Sequence, residues 1–220
     1  MTDAKPVLWG IGTMRTHRPH WLARELGIDY ELRPIQPRTG ETREPAYLKI
    51  NPRHKVPAMV HGDVVLTESA AILNYLSETF PVPEWFFVPS TALERARLLE
   101  WNFFIMSELD ANGLYSMRRH GDLKALYGDA PVAVEAGRDY FLHQLETMDE
   151  ALRRATDGFL MGHRFIIADV LFMSILDWAR WYKIDLPAYL LDWQHEIGRR
   201  PAYIDTFADN YPGMAVADVR

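Results

Sequence analysis

An α/β domain followed by an all-helical domain is the fold class this sequence predicts, on three observations. Apolar spacing over the first eighty residues alternates between the strand and helix periods. A proline-rich stretch, "PVPEWFFVPS" at 81–90, then interrupts the pattern. Beyond it strand signals nearly vanish. The domains expected are residues 1–82 and 90–220, with a linker between them.

Taken in order, Val7-Leu8-Trp9 reads as a short buried strand. Residues 17–27 read as a helix, with Trp21, Leu22 and Leu26 on one face and Gly27 as its stop. Proline is tolerated only in a first turn, so Pro19 puts the helix start near Thr16 to Arg18. Tyr30 to Ile35 is a second strand, and Glu41 to Ile50 a polar, irregular helix. Apolar runs at 57–61 and 64–66 flank Gly62-Asp63, a hairpin signal. From Glu68, residues Ala71, Ile72, Tyr75 and Leu76 return to helical spacing. In the second part a long helix carries Leu98, Trp101, Ile105 and Leu109 as one stripe. Further helices are expected over 132–154, 168–181, 187–197 and 202–208, while residues 215–220 carry no readable role.

Composition removes several function classes. A net charge of −6 over 220 residues, with no polybasic block, argues against nucleic acid. Met1 to Pro6 lacks a signal-peptide pattern. The most apolar stretch, Phe165 to Trp178, is broken by Asp169 and Asp177 and is too short to span a bilayer. A cytoplasmic protein without membrane or nucleic-acid partners is expected. The sequence has no cysteine, which rules out disulfides, thiolate metal sites and a cysteine nucleophile. Sulfur chemistry here would have to use sulfur from another molecule.

"GTMRTHRP" at 12–19 bears on that point, because Thr13 and Thr16 stand at the spacing of a C-x-x-C pair. A threonine hydroxyl is not redox-active, but at a helix N-terminus it can donate a hydrogen bond to a thiolate. Threonine is equally a residue that opens a helix. For Thr16 the capping reading is preferred, and for Thr13 the thiolate reading. His17 and His20 are read as surface histidines, since no third metal ligand accompanies them.

The segment "NPRHKVPAMVHGDVVLTESAAILNYLSETFP" at 51–81, with "ARELGIDYELRPI" before it and "EWNFFIMSEL", "FIIADV" and "RRPAY" after it, resembles the cytosolic glutathione transferases, with a bacterial-type, Ser/Thr-like active site. The resemblance covers nearly the whole chain. It implies a thioredoxin-like N-terminal domain and an all-α C-terminal domain. Glutathione is then a cosubstrate, with no permanently bound cofactor and no metal. The implied reaction is attack of the glutathione thiolate on a small apolar electrophile by a homodimer. Pro57 is implied to follow a cis bond, so that Val56 N–H and C=O pair with the cysteinyl backbone; by itself, Pro57 reads as the start of a strand. Glu68 would take the ammonium group and Ser69 the γ-glutamyl carboxylate, with His54 and Lys55 near the glycine carboxylate. Arg38 is read as part of a solvated basic loop.

Thr13 falls where some classes carry a catalytic serine or cysteine, and Thr16 where a second thiol would be. Arg15 either favours the thiolate as a nearby cation or points to solvent. Phe103, Met106 and Asp110 share the helix face that the family turns toward the acceptor. Asp169 is read as structural, although Ile166 replaces the hydroxyl residue that relatives place three positions earlier. Two alternatives stand beside conjugation: glutathione-dependent peroxidase or isomerase chemistry at the same site, and a non-catalytic ligand-binding protein of the same fold.

Overall fold

The computed structural model describes residues 4–214; the 215–220 tail lies outside them. Packing divides the chain into two compact units. One holds the residues through Glu84 together with those from Gly198 on, and the other spans Trp85–Ile197. The expected division at 82 and 90 follows the order of the sequence. Packing also returns the last helix to the first unit.

That unit is built on a four-stranded sheet in the order β2-β1-β3-β4. β1 (Val7–Trp9) runs parallel to β2 (Glu31–Arg33), and between them lies α1 (Met14–Glu25). β3 (Ala58–His61) pairs antiparallel with β1 and with β4 (Val64–Thr67). The β3–β4 turn places His61 opposite Val64, and Gly62 at φ 58° supplies the left-handed conformation the turn needs. The irregular 41–50 stretch is a 3₁₀ turn at Glu41–Arg43 followed by the short α2 (Pro45–Leu48). α3 (Ser69–Thr79) completes the first pass.

α1 and α3 lie side by side against the sheet. Leu8, Trp21, Leu22, Met59, Ile72, Leu73 and Leu76 are fully buried there. Each large apolar side chain buried this way contributes roughly 1.5–3 kcal/mol.

α1 corrects one expectation. It begins at Met14, so Pro19 sits in its interior and not in its first turn. Thr13 and Thr16 form a reciprocal cap that fixes the start, and the helix tolerates the one N–H that Pro19 lacks. The helix ends as expected, with Leu26 as C-cap and Gly27 at φ 68°.

The second unit opens with Phe86 bridged to Phe165, so part of the expected linker is built into it. α4 (Ala92–Phe103) continues directly into a π-helical stretch, Phe104–Leu114. Leu98, Ile105 and Leu109 are buried along it. α5 (Tyr115–His120), α6 (Lys124–Tyr127), α7 (Pro131–Thr147) and α8 (Asp149–Ala155) follow, the last two dividing the expected 132–154 helix. α9 (Ile167–Trp181) is the most deeply buried helix, with all but its last two residues inside. α10 (Ala188–Ile197) ends this unit, and α11 (Pro201–Asn210) packs on α1 in the first. No helix of the described residues is long and apolar enough to cross a membrane.

Candidate active site

Helix α1 starts on a reciprocal pair. Thr13 Oγ1 accepts from the Thr16 N–H at 3.0 Å, and Thr16 Oγ1 accepts from the Thr13 N–H at 3.0 Å. No acidic residue lies in the first turn, so the positive end of the helix is not neutralised by its own side chains. Thr13 is half-buried; its oxygen accepts from Thr16 N–H and lies 3.0 Å from Thr16 Oγ1, so its own proton is shared between that oxygen and any anion brought to the corner.

Thr16 is fully buried, and its hydroxyl lies 2.8 Å from Thr13 O and 2.7 Å from Asn210 Oδ1. This corrects its place among the catalytic candidates, because a buried hydroxyl engaged on all sides cannot touch a substrate. It is also the third residue of the helix, where Thr13 is the cap. Arg15 is half-buried.

Gly10 ties this corner to the third strand. A Cβ placed on it would fall 2.5 Å from Val56 Cβ and 2.9 Å from Thr16 Cγ2, so only glycine lets these segments close up. Its φ of 110° also lies where side chains are strained. The Val56-Pro57 bond is cis. Among the described residues no hydrogen bond is made to Val56 N–H or C=O, which stand outside β3 as a free donor and acceptor.

Glu68 and Ser69 open α3. Glu68 has φ 71°, a strained conformation for a non-glycine residue that costs of order 1–3 kcal/mol and recurs at functional sites. α3 has no side-chain cap, which leaves its first N–H groups open to an anion. The Glu68 carboxylate pairs with Arg53 at 2.9 Å, and Arg53 also donates to Thr67 Oγ1 at 2.7 Å. Ser69 is buried, and its oxygen accepts from Arg18 Nη1 at 3.1 Å. Its own proton is then directed elsewhere. Arg18 is fully buried and adds a permanent positive charge behind this helix start.

His54 and Lys55 are exposed, and Arg38 is exposed with φ 70°. Tyr47 Oη and Asn51 Nδ2 hold the Lys55 carbonyl at 2.6 and 2.7 Å, which fixes the chain just before Val56. Burial of the Tyr47 hydroxyl pushes its pKa up to about 12.

The histidine expectation is overturned. His17 and His20 are buried at 1% and 2% exposure. His17 Nε2 meets Thr206 Oγ1 at 3.0 Å, and His20 Nε2 meets Gly10 O at 2.8 Å. Burial, with the proximity of His20, lowers the His17 pKa to about 3; burial lowers that of His20 to about 4. Both rings are neutral parts of the core. No group of three or more potential metal ligands occurs among the described residues.

In the second unit, Phe103 is exposed, Met106 half-buried and Asp110 fully buried. They do not form the common face expected, because the α-helical period ends at Phe103 and the π-helical turn widens from there. Asp169 is fully buried and accepts from Ile166 N–H and Leu160 N–H, both at 2.8 Å. The Ile166 side chain offers no polar atom in return, and only its main-chain carbonyl accepts from Asp169 N–H, at 3.0 Å.

Arg18, Arg53 and Asn210 were not legible as site residues. Arg18 and Arg53 look like surface cations in sequence, and Asn210 lies nearly two hundred positions from the corner it contacts.

Residues 5–78 match the sequence profile of the glutathione S-transferase N-terminal domain. A wheat (Triticum aestivum) glutathione S-transferase is 42% identical over 82 residues, 37% of each chain. The maize (Zea mays) glutathione S-transferase 3 is 29% identical over 194 residues, 84% of each chain. A probable maleylacetoacetate isomerase 1 of Drosophila melanogaster is 26% identical, covering 74% of this chain and 63% of its own. In fold, a solved glutathione transferase homolog from Lodderomyces elongisporus, with two GSH per subunit, superposes with a TM-score of 0.82 at 22% identity, over 93% of this chain and 98% of that one.

Proposed function

The chain belongs to the glutathione transferase family, and from that premise we propose that it binds glutathione and activates its thiol at Thr13. Val56 would pair with the cysteinyl backbone of glutathione. The uncapped start of α3 with Ser69 would take the γ-glutamyl carboxylate, Glu68 the ammonium, and His54 and Lys55 the glycine carboxylate. The bound thiolate then attacks an electrophilic carbon of a small apolar acceptor, forming a C–S bond. A leaving group departs with its electron pair, or in an addition the adjacent carbon takes up a proton. Cytoplasmic location and a homodimer go with this reading.

The observation that carries it is the start of α1. There a half-buried hydroxyl already accepts from the helix backbone, and the helix end has no acidic side chain in its first turn. One charge-assisted hydrogen bond contributes about 1.5–3 kcal/mol, and each pKa unit corresponds to about 1.4 kcal/mol. A thiol held there is therefore lowered by about one to two units.

The test is the ultraviolet thiolate absorbance of bound glutathione against pH, in the unaltered protein and in Thr13→Val. A midpoint below that of free glutathione, returning upward in the variant, supports the assignment. An unshifted midpoint removes it and favours a ligand-binding protein. The isomerase relative supports a second reading on the same thiolate, reversible addition to a cis-dienone. Isomerised product without consumption of glutathione would identify that reaction. A hydroperoxide that yields oxidised glutathione would identify a peroxidase.

A further inference from the structure

We propose that Asn210 is a positioning residue for the thiol-activating corner, a role that rests on the assignment of Thr13 above. It is the last residue of α11 and is fully buried. Three of its groups reach the 12–16 segment. Its main-chain carbonyl accepts from Gly12 N–H at 2.9 Å, its Nδ2 donates to Thr13 O at 3.0 Å, and its Oδ1 accepts from the Thr16 hydroxyl at 2.7 Å.

These bonds hold the Ile11–Gly12 peptide, one unit ahead of Thr13, and the carbonyl of Thr13 itself. The Thr13 backbone is extended, at φ −140° and ψ 156°, and those two angles set where its Cβ projects. A β-branched side chain has few χ1 choices once the backbone is fixed. Asn210 therefore sets the direction of the Thr13 hydroxyl through the backbone, without touching the sulfur. The contact with Thr16 draws that hydroxyl's proton away from Thr13 Oγ1, so Thr16 N–H is the donor that oxygen retains.

The rest of α11 does a different job. Tyr203 and Phe207 pack their rings on His17, Thr206 bonds to that histidine, and Arg200 donates to Glu25 at the far end of α1. Those contacts dock the helix. Asn210 is the point at which the docked helix meets the corner.

The experiment compares the unaltered full chain with Asn210→Ala, Asn210→Asp and Arg200→Ala. Each is read by the pH titration of bound glutathione thiolate and by kcat and KM with an activated aryl chloride. Asn210→Asp keeps the volume and the acceptor for Thr16 but loses the donor to Thr13 O, so it serves if the alanine variant folds poorly. Arg200→Ala loosens docking away from the corner. Both Asn210 variants are expected to raise the thiol midpoint by about one unit and lower kcat about tenfold, with the KM for glutathione within about twofold. Arg200→Ala is expected to lower the melting temperature and leave the midpoint unchanged. If Arg200→Ala moves the midpoint as far as Asn210→Ala does, the effect is general docking and the proposal falls. If the unaltered protein shows a lowered midpoint that neither Asn210 variant changes, the Asn210 role falls and the Thr13 assignment stands. An unshifted thiol in the unaltered protein overturns both.

Discussion

Two helices of this chain begin with the same device and end up with opposite electrostatics. At α4, Thr91 Oγ1 accepts from Glu94 N–H at 3.2 Å, and the Glu94 carboxylate accepts from Thr91 N–H at 2.8 Å and Ser90 N–H at 2.9 Å. At α1 the same reciprocal bonds run between Thr13 and Thr16. The third helical residue is an anion in one case and a hydroxyl in the other. A carboxylate at that place neutralises the positive end of the helix where it forms. A hydroxyl satisfies the same backbone groups and leaves the field available to an anion from outside. Capping geometry settles where a helix begins, and the charge of the capping residue settles whether that end can bind anything.

The two starts also differ in their surroundings, and this gives the largest expected effect. The α1 corner is closed in by Gly10, Val56 and Asn210, whereas the α4 start is exposed. Gly10→Ala should cost about 3 kcal/mol or more, because it combines a positive φ with a clash against Val56. Urea unfolding would measure it, and a near-neutral result would show that the corner can open.

Next comes acid. His17 and His20 are held neutral in the folded chain, with pKa values of about 3 and 4 against 6.5 unfolded. The unfolded chain therefore binds more protons below pH 6.5, and stability falls as pH drops from there toward 4. At pH 5 the loss is on the order of 2 kcal/mol per histidine. Unfolding midpoints at pH 7 and pH 5 would check this, and equal midpoints would contradict it.

A third prediction makes α1 more like α4. Thr16→Asp puts a carboxylate beside Thr13, and it should raise the midpoint of bound glutathione thiol by about one unit and weaken glutathione binding. An unchanged midpoint would break the electrostatic side of the comparison.

The smallest effect belongs to Glu94. Hydrogen bonds from the Thr91 and Ser90 backbone hold its pKa down to about 2. Its contribution is present above the ordinary carboxylate range and is lost as pH falls toward 2. Glu94→Ala should lower the melting temperature slightly at pH 7, with no change in glutathione titration and a difference that closes near pH 2. The buried histidines of α1 and the cap of α4 would thus lose their contributions in separate pH windows.

What could be read from sequence was what neighbours in sequence determine. The β3–β4 hairpin follows from Gly62-Asp63 between two apolar runs, and α3 from the spacing after Glu68. The change to helices alone past residue 90 followed from the loss of strand periodicity there, whereas packing puts the residues from Gly198 on with the first unit. Pro19 misled, because a reciprocal cap six residues earlier outweighed the preference of proline for a first turn. His17 and His20 look like surface residues until α11 covers them, and nothing near them in sequence signals a helix that far along. The Phe103–Asp110 face failed for a local reason of another kind, a change of helical period that composition does not reveal.

The return of α11 has a consequence for how the protein is made. The sheet and its first three helices are synthesised early, yet the face of α1 that carries His17 and Trp21 is met by Tyr203, Thr206 and Phe207 of α11. The whole second unit is synthesised in between. On the ribosome, the unit begun first is the one completed last. Until then its aromatic face is open, and a chaperone that recognises exposed apolar helices has its longest opportunity there.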